Sequence, residues 1–237
     1  MRLDKLLSRL GVCSRSECRN LLKAGRVAVR GVIAKNPAMN VMADGEILVD
    51  GKRLDIRLCR HVMLYKPSGV LTAREDSRCR TVMDLLPGVY TALECMPVGR
   101  LDKDTTGILL LTTDGELAHR LISPARHVDK IYLATVDGEL TKEDVKAFQA
   151  GIALQDFTAL PAKLEILQKN VGRVTVQEGK YHQIKRMFAS VGKPVLALHR
   201  SSFGALKLDA GMNPGDYREL NSDEIAALYA AAGLKNE

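Results

Sequence analysis

The chain has 237 residues, 46% of them hydrophobic, a formal net charge of +7 and an odd number of cysteines. That length and apolar content suffice to bury one or two proper cores, which sets intrinsic disorder aside. No apolar run approaches the roughly 20 residues of a membrane-spanning helix, and MRLDKLLSRL at the start carries charges where a secretion signal is apolar, so a cytoplasmic protein without a membrane partner is expected.

Leu3, Leu6, Leu7 and Leu10 recur at helical spacing, which predicts a helix over residues 2–10. Ser14 or Ser16 can cap a second helix with Cys18, Leu21 and Leu22 on its apolar side and Gly25 at its end. In RVAVRG, Val27 and Val29 alternate with arginines as a short strand, and ILVDG followed by KRL reads as a further strand and turn. RLDIRLCRH, residues 53–61, is the expected connector between a small module, 1–58, and a larger one, 59–237.

HVMLYKPSGVLT opens the larger module with an apolar strand and a Pro-Ser-Gly turn. A strand over 107–112, a helix from about Asp114 to Ile122 and a strand over 131–138 follow. TKEDVKAFQAG has a Thr cap, an acidic first turn and a closing Gly, the marks of a helix. Strands are expected around 163–167 and 171–177, and then a helix in GKYHQIKRMFASVG, where Ile184, Met187, Phe188 and Val191 share a face. LALHRSSFGALKL adds strands and SDEIAALYAAAGL closes with a capped helix. Strands and helices mix without regular βαβ alternation, so the fold class is α+β with a mixed, largely antiparallel sheet flanked by helices.

The charge is unevenly placed. Residues 1–60 hold 13 Lys and Arg against 6 Asp and Glu, whereas residues 61–237 hold 22 of each. Arg15, Arg19, Lys23 and Arg26 recur every three or four residues opposite the leucine stripe, and Arg30 follows. For one helix a merely solvated basic face is the commoner meaning. Here only Asp4 and Glu17 accompany eight basic residues within the first 30, which favours phosphate binding through released counterions.

His61, His119, His127, His182 and His199 form no HExxH or HxH pattern and the cysteines no CxxC or CxxH spacing, so no metal is expected. Neither GxGxxG nor GxxxxGK[ST] occurs, which argues against a nucleotide-driven enzyme. The candidate chemistry lies in GRLDKDTTG, 99–107. Asp and Thr in such a loop can be turn chemistry alone, and Asp104 is read that way. Asp102 differs because the loop runs into the apolar ILLL strand, and a carboxylate at the edge of a dry pocket stays ionised only beside a cation. Arg100, Lys185 and Arg186 are the candidate cations.

The first 55 or so residues, from RLDKLLSRLGVCSRSECRNLLKAGRVAVRG to the DGKRL turn, resemble the S4-type RNA-binding domain. GRLDKDTTG, KPSG at 66–69, KIY at 130–132, EGKYHQIKRMF at 178–188, SSFGALKL and PGDYREL occur in the order found in the pseudouridine synthases. With the S4-like attachment, nearly the whole chain resembles the ribosomal small subunit pseudouridine synthase A family. The resemblance implies isomerisation of a uridine in ribosomal RNA or a ribosome assembly intermediate, without a cofactor, by a protein taken as a monomer. It makes Asp102 the nucleophile, Tyr132 the aromatic residue against the target base, and Lys185 the basic partner of Asp102, with Arg186 as the rival for that pairing. Arg100 would hold a flanking phosphate or fill the space left by a flipped nucleotide, and Lys66 and His182 would lie near the site. Three alternatives stand beside this reading: a large-subunit (23S) synthase, a non-catalytic S4-domain assembly protein, and a glycosidase, which usually needs a second carboxylate as acid or base.

Overall fold

A computed structural model describes residues 1–42 and 45–235. The chain divides into two compact units, Met1–Arg60 with Leu86–Cys95, and His61–Leu85 with Met96–Glu237.

In the first unit α1 (Leu3–Arg9) and α2 (Arg15–Lys23) pack on a four-stranded antiparallel sheet, β1 (Val27–Val29), β2 (Val32–Ile33), β3 (Ile47–Val49) and β4 (Lys52–Arg53), in the order β2-β1-β3-β4. Ser14 caps α2 through the backbone N–H of Glu17, whose carboxylate returns to the Ser14 N–H at 2.8 Å. This reciprocal cap fixes where the helix starts, and with it which residues face water. Leu3, Leu6, Leu7 and Leu10 meet Cys18, Leu22, Val27 and Ile47 in one core. Leu93 is buried in the same core, because α3 (Gly88–Ala92) belongs to this unit and not to the larger module the sequence allots it to. Gly11, at φ +69°, makes that packing possible: a Cβ there would stand 2.9 Å from the Ala92 Cβ.

The second unit is built on β5 (His61–Lys66), β6 (Met96–Pro97), β7 (Thr106–Thr112), β8 (Lys130–Val136), β11 (Lys163–Gln168), β12 (Val171–Val176), β13 (Val195–Phe203), β14 (Leu206–Lys207) and β15 (Tyr217–Glu219). Between β8 and β11 lies a separate ribbon of β9 (Ile152–Ala153) and β10 (Thr158–Ala159). The main sheet runs β11-β12-β8-β13-β7-β5-β15, with β6 on β7 and β14 on β13. Its pairings are antiparallel except β7 with β13, where His199 lies opposite Thr106 and Arg200 opposite Gly107.

Helices α4 (Gly115–Ile122) and α7 (Ser222–Ala232) cover one core with Leu117, Leu121 and Leu228 against Met63, Ile108 and Leu110. Phe148 of α5 (Lys142–Ala150) and Phe188 of α6 (Gln183–Ser190) pack at 4.7 Å between ring centroids. The parallel junction is tight enough to dictate a residue: a Cβ on Gly107, at φ +113°, would fall 2.1 Å from the Arg200 carbonyl oxygen. The final glycine of GRLDKDTTG therefore lets β13 lie against the start of β7. That contact fixes the loop leading into β7.

Candidate active site and RNA-binding face

Loop 99–105 is held from both sides by the segment that follows β5. The Thr72 hydroxyl donates to the Leu101 carbonyl at 2.8 Å and accepts the Leu101 N–H at 3.2 Å. The Gly69 N–H donates to the Lys103 carbonyl at 2.8 Å. Lys66, with no exposed surface, donates its ammonium to the carbonyls of Pro67 at 3.0 Å, Lys103 at 3.2 Å and Thr105 at 2.9 Å. These bonds fall on Leu101, Lys103 and Thr105, the neighbours of Asp102, and the Thr105 N–H donates to the Asp102 carbonyl at 3.1 Å. Clamping backbone on either side leaves the Asp102 side chain projecting from a rigid turn. Burial pushes Lys66 down to about 8, against the pull of Asp104 and Asp102.

Asp102 is half-buried, and its carboxylate lies 3.0 Å from the Lys185 ammonium and 3.6 Å from His182 Nε2. Lys185 also donates to Asp104 at 2.5 Å. Burial opposes the charge on Lys185, but its hydrogen bonds to Asp104 and Asp102 prevail and hold it above the ordinary lysine value. Asp104 is in turn held below the usual carboxylate range, first by that hydrogen bond. Asp102, Tyr132, Arg100, Lys180, His182 and Lys185 all line one cleft. Tyr132, on β8, is 8% exposed, and its hydroxyl faces Arg200, whose Nη1 lies 3.5 Å away while Nε donates to the Ile108 carbonyl at 2.8 Å.

Of the two rivals in HQIKRM, Lys185 reaches Asp102. One position further along α6, Arg186 points elsewhere and pairs with Asp156 in the β9–β10 turn. Arg100 is exposed at the cleft, and among the described residues no side-chain hydrogen bond or ion pair holds it. His182 sits at the entry of α6 in a left-handed conformation, φ 49°, with its ring stacked on Tyr181. Two sequence expectations change. Lys66 is near the site but cannot meet RNA directly, because its ammonium is enclosed by three carbonyls. Asp104 is more than turn chemistry, since it shares Lys185 with Asp102.

Sequence reasoning passed over Arg200, Thr72 and Lys130. Arg200 is 1% exposed, its Nη2 lacks a hydrogen-bond partner, and its guanidinium lies 5.9 Å from the Tyr132 ring centroid. Lys130 is 6% exposed, donates to the Val128 carbonyl at 2.9 Å, and is pushed by burial down to about 8. The available signal was a lysine or arginine at an inward position of an apolar strand, as in KIYLATV and LALHRSSF.

On α2, Arg15, Arg19 and Lys23 are exposed, and among the described residues no side-chain hydrogen bond or ion pair holds any of them. Arg26 is not on that helix, which ends at Lys23. It forms a two-pronged pair with Asp50, both contacts at 2.6 Å, so its charge is neutralised locally. Arg30 is exposed at the turn between β1 and β2, at φ 51°. The described residues contain no helix long and apolar enough to cross a membrane, and no group of three or more His, Cys, Asp or Glu able to hold a metal ion.

Comparison with known proteins converges on one chemistry. The family model for RNA pseudouridylate synthase matches residues 60–190, and the S4 domain model matches residues 1–44. An uncharacterized RNA pseudouridine synthase, YtzG, of Bacillus subtilis is 44% identical, covering 96% of this chain and 98% of its own. Ribosomal small subunit pseudouridine synthase A of Yersinia pestis is 40% identical over 97% of this chain and 99% of its own. That of Escherichia coli K12 is 39% identical over 96% and 100%. A crystal structure of a pseudouridylate synthase superposes with a TM-score of 0.68 at 35% identity, covering 96% of this chain and 99% of that one.

Proposed function

This chain belongs to the RNA pseudouridylate synthase family, and on that premise we propose that it converts one uridine of small-subunit ribosomal RNA to pseudouridine, with Asp102 as nucleophile on a flipped-out nucleotide. The observation that carries the reading is the Lys185 ammonium 3.0 Å from the Asp102 carboxylate, in a cleft that also holds Tyr132. An ammonium at that distance pairs with the carboxylate and aims it, which a nucleophile needs. The reaction breaks the bond between ribose C1′ and uracil N1, turns the base and rejoins it through C5. Bonding of Asp102 to the sugar or to the base passes its negative charge to the uracil, and regaining that charge releases the enzyme.

Tyr132 offers a ring for the base to lie against and, when ionised beside the Arg200 guanidinium, a phenolate oxygen to receive the C5 proton. A uridine in folded RNA must first leave its stack, at a cost of a few kcal/mol that phosphate contacts offset. Arg100 at the cleft, with Arg15, Arg19, Lys23 and Arg30 of the S4-type unit, supplies cations for those contacts. Residues 1–58 then act as the RNA-holding module and 59–237 as the catalytic one. The small subunit is favoured by the names of the Yersinia and Escherichia relatives. RNA of this kind puts the enzyme in the cytoplasm, acting on ribosomal RNA or an assembly intermediate.

Mapping pseudouridines in ribosomal RNA from cells with and without the gene tests this directly. The expected result is loss of a single site in the 16S RNA. Loss of a 23S site would move the substrate to the large subunit, and an unchanged map with RNA binding retained would leave a non-catalytic assembly protein.

A further inference from the structure

Resting on the reading of the cleft as the place where a uridine reacts, we propose that Tyr181 is the stacking platform for the base of a nucleotide adjacent to the target in the same RNA strand. Tyr181 is 75% exposed, whereas Tyr132 inside the cleft is 8% exposed. One face of its ring is covered by the His182 imidazole, with centroids 3.9 Å apart and planes inclined by 17°. The same imidazole brings Nε2 to 3.6 Å from Asp102. The uncovered face of Tyr181 is thus one ring removed from the residue that reacts. A base laid there belongs to the neighbour of the nucleotide held against Asp102 and Tyr132.

The segment carrying Tyr181 is anchored on both sides, so the ring is presented rather than loose. Before it, Glu178 is 5% exposed and accepts the Leu160 N–H at 2.8 Å and the Gln183 amide at 2.7 Å, while the Lys180 N–H donates to Gln183 Oε1 at 3.0 Å. After it, His182 holds a left-handed conformation that a non-glycine residue adopts only when its surroundings impose it. Around it, Lys180 Nζ lies 4.1 Å from the Phe157 ring centroid and the Arg186 guanidinium 5.0 Å from the same centroid. Both cations are paired, Lys180 with Glu178 at 3.9 Å and Arg186 with Asp156, so they brace the segment, while an exposed ring suits any base, because every base has a π-face. A pre-placed ring loses little conformational freedom on binding, so its stacking appears in affinity.

The test uses the full-length protein and a ribosomal RNA fragment spanning the mapped uridine, with 2-aminopurine in turn at the nucleotides flanking it. Tyr181→Ala should raise KM roughly tenfold with kcat changed less than about twofold. It should also abolish the fluorescence quenching that wild type produces at one flanking position, with an unchanged melting temperature because the side chain is exposed. Tyr181→Phe should keep both KM and quenching, since the ring remains. The proposal is overturned if Tyr181→Ala binds as wild type does, if Tyr181→Phe is as weak as Tyr181→Ala, or if the loss falls on kcat alone. Asp102→Asn, assayed in parallel, separates the two levels: turnover by that variant removes the underlying reading, whereas an inactive Asp102→Asn beside an unaltered Tyr181→Ala removes only the stacking.

Discussion

Along α2, Arg15, Arg19 and Lys23 stand in water with no carboxylate among the described residues pairing with them, while three cations near Asp102, Lys66, Lys185 and Arg200, are individually fixed. Lys66 is held by three carbonyls, Arg200 by the Ile108 carbonyl, and Lys185 by two carboxylates. Solvent and salt screen the first set, so each charge attracts a polyanion without fixing its position. In the second set the surroundings shift how readily the lysines give up their protons. Burial drives Lys66 and Lys130 down to about 8, and Lys185 rises only because Asp104 and Asp102 outweigh its burial. On the proposed function the same residue types would serve affinity in one unit and placement in the other, and substitutions should separate the two uses.

The largest separation should come from Asp102→Asn. The change keeps the size of the side chain and removes the charge that pairs with Lys185, so turnover should fall by roughly four orders of magnitude or more. RNA affinity should stay within about twofold of wild type, because the exposed cations are untouched. A variant that lost affinity and turnover together would erase the distinction between the regions.

Asp104→Asn sharpens the picture of the enclosed set. Lys185 faces Asp102, Asp104, His182 and the like charge of Lys66. Its pKa is raised in the fold, so the pairing is fully present at and below the ordinary lysine range and is lost as pH rises through the raised value. Removing Asp104 takes away one of the two carboxylates that raise it. The alkaline decline of kcat should move to lower pH, with a loss of less than about tenfold near neutrality, since Asp102 still holds the ammonium. Profiles of kcat against pH that coincide for variant and wild type would show that Asp104 gives Lys185 no support.

What the sequence made legible follows the same division. Local pattern was enough for α2, for a cap at Ser14 or Ser16 and for the strand after the Asp102 loop, whereas the choice of Asp102, and of Lys185 ahead of its rival Arg186, came with the family resemblance. Contacts between distant segments were not legible. The neutralisation of Arg26 by Asp50, 24 residues later, depends on β1 pairing with β3, and Arg186 turns to Asp156 because the β9–β10 turn lies beside α6. Lys66 was placed near the site only through the family resemblance, and nothing local marks it as enclosed, because the Lys103 and Thr105 carbonyls that hold it come from a loop nearly 40 residues on. Arg200 gave the weakest signal: a lone cation in a strand has no periodic partner, and its value beside Tyr132 exists only once β8 and β13 pair.

The smallest effects belong to α2, and they are best read as slopes. If Arg15, Arg19 and Lys23 each neutralise a phosphate, changing each to Gln should lower the dependence of log Kd on log salt by about 0.7–0.9. The triple variant should lose the combined slope while keeping kcat at saturating RNA. Arg26→Gln supplies the contrast, because a pair with Asp50 carries no net charge and should release fewer counterions than any of the three. Charge substitution is a better instrument here than deleting residues 1–60, since Leu93 is buried in the core of that unit and would be stripped of its cover. An unaltered slope in the triple variant would mean that the S4-type unit meets RNA through groups other than this face. The exposed set on α2 would then be a solvated surface.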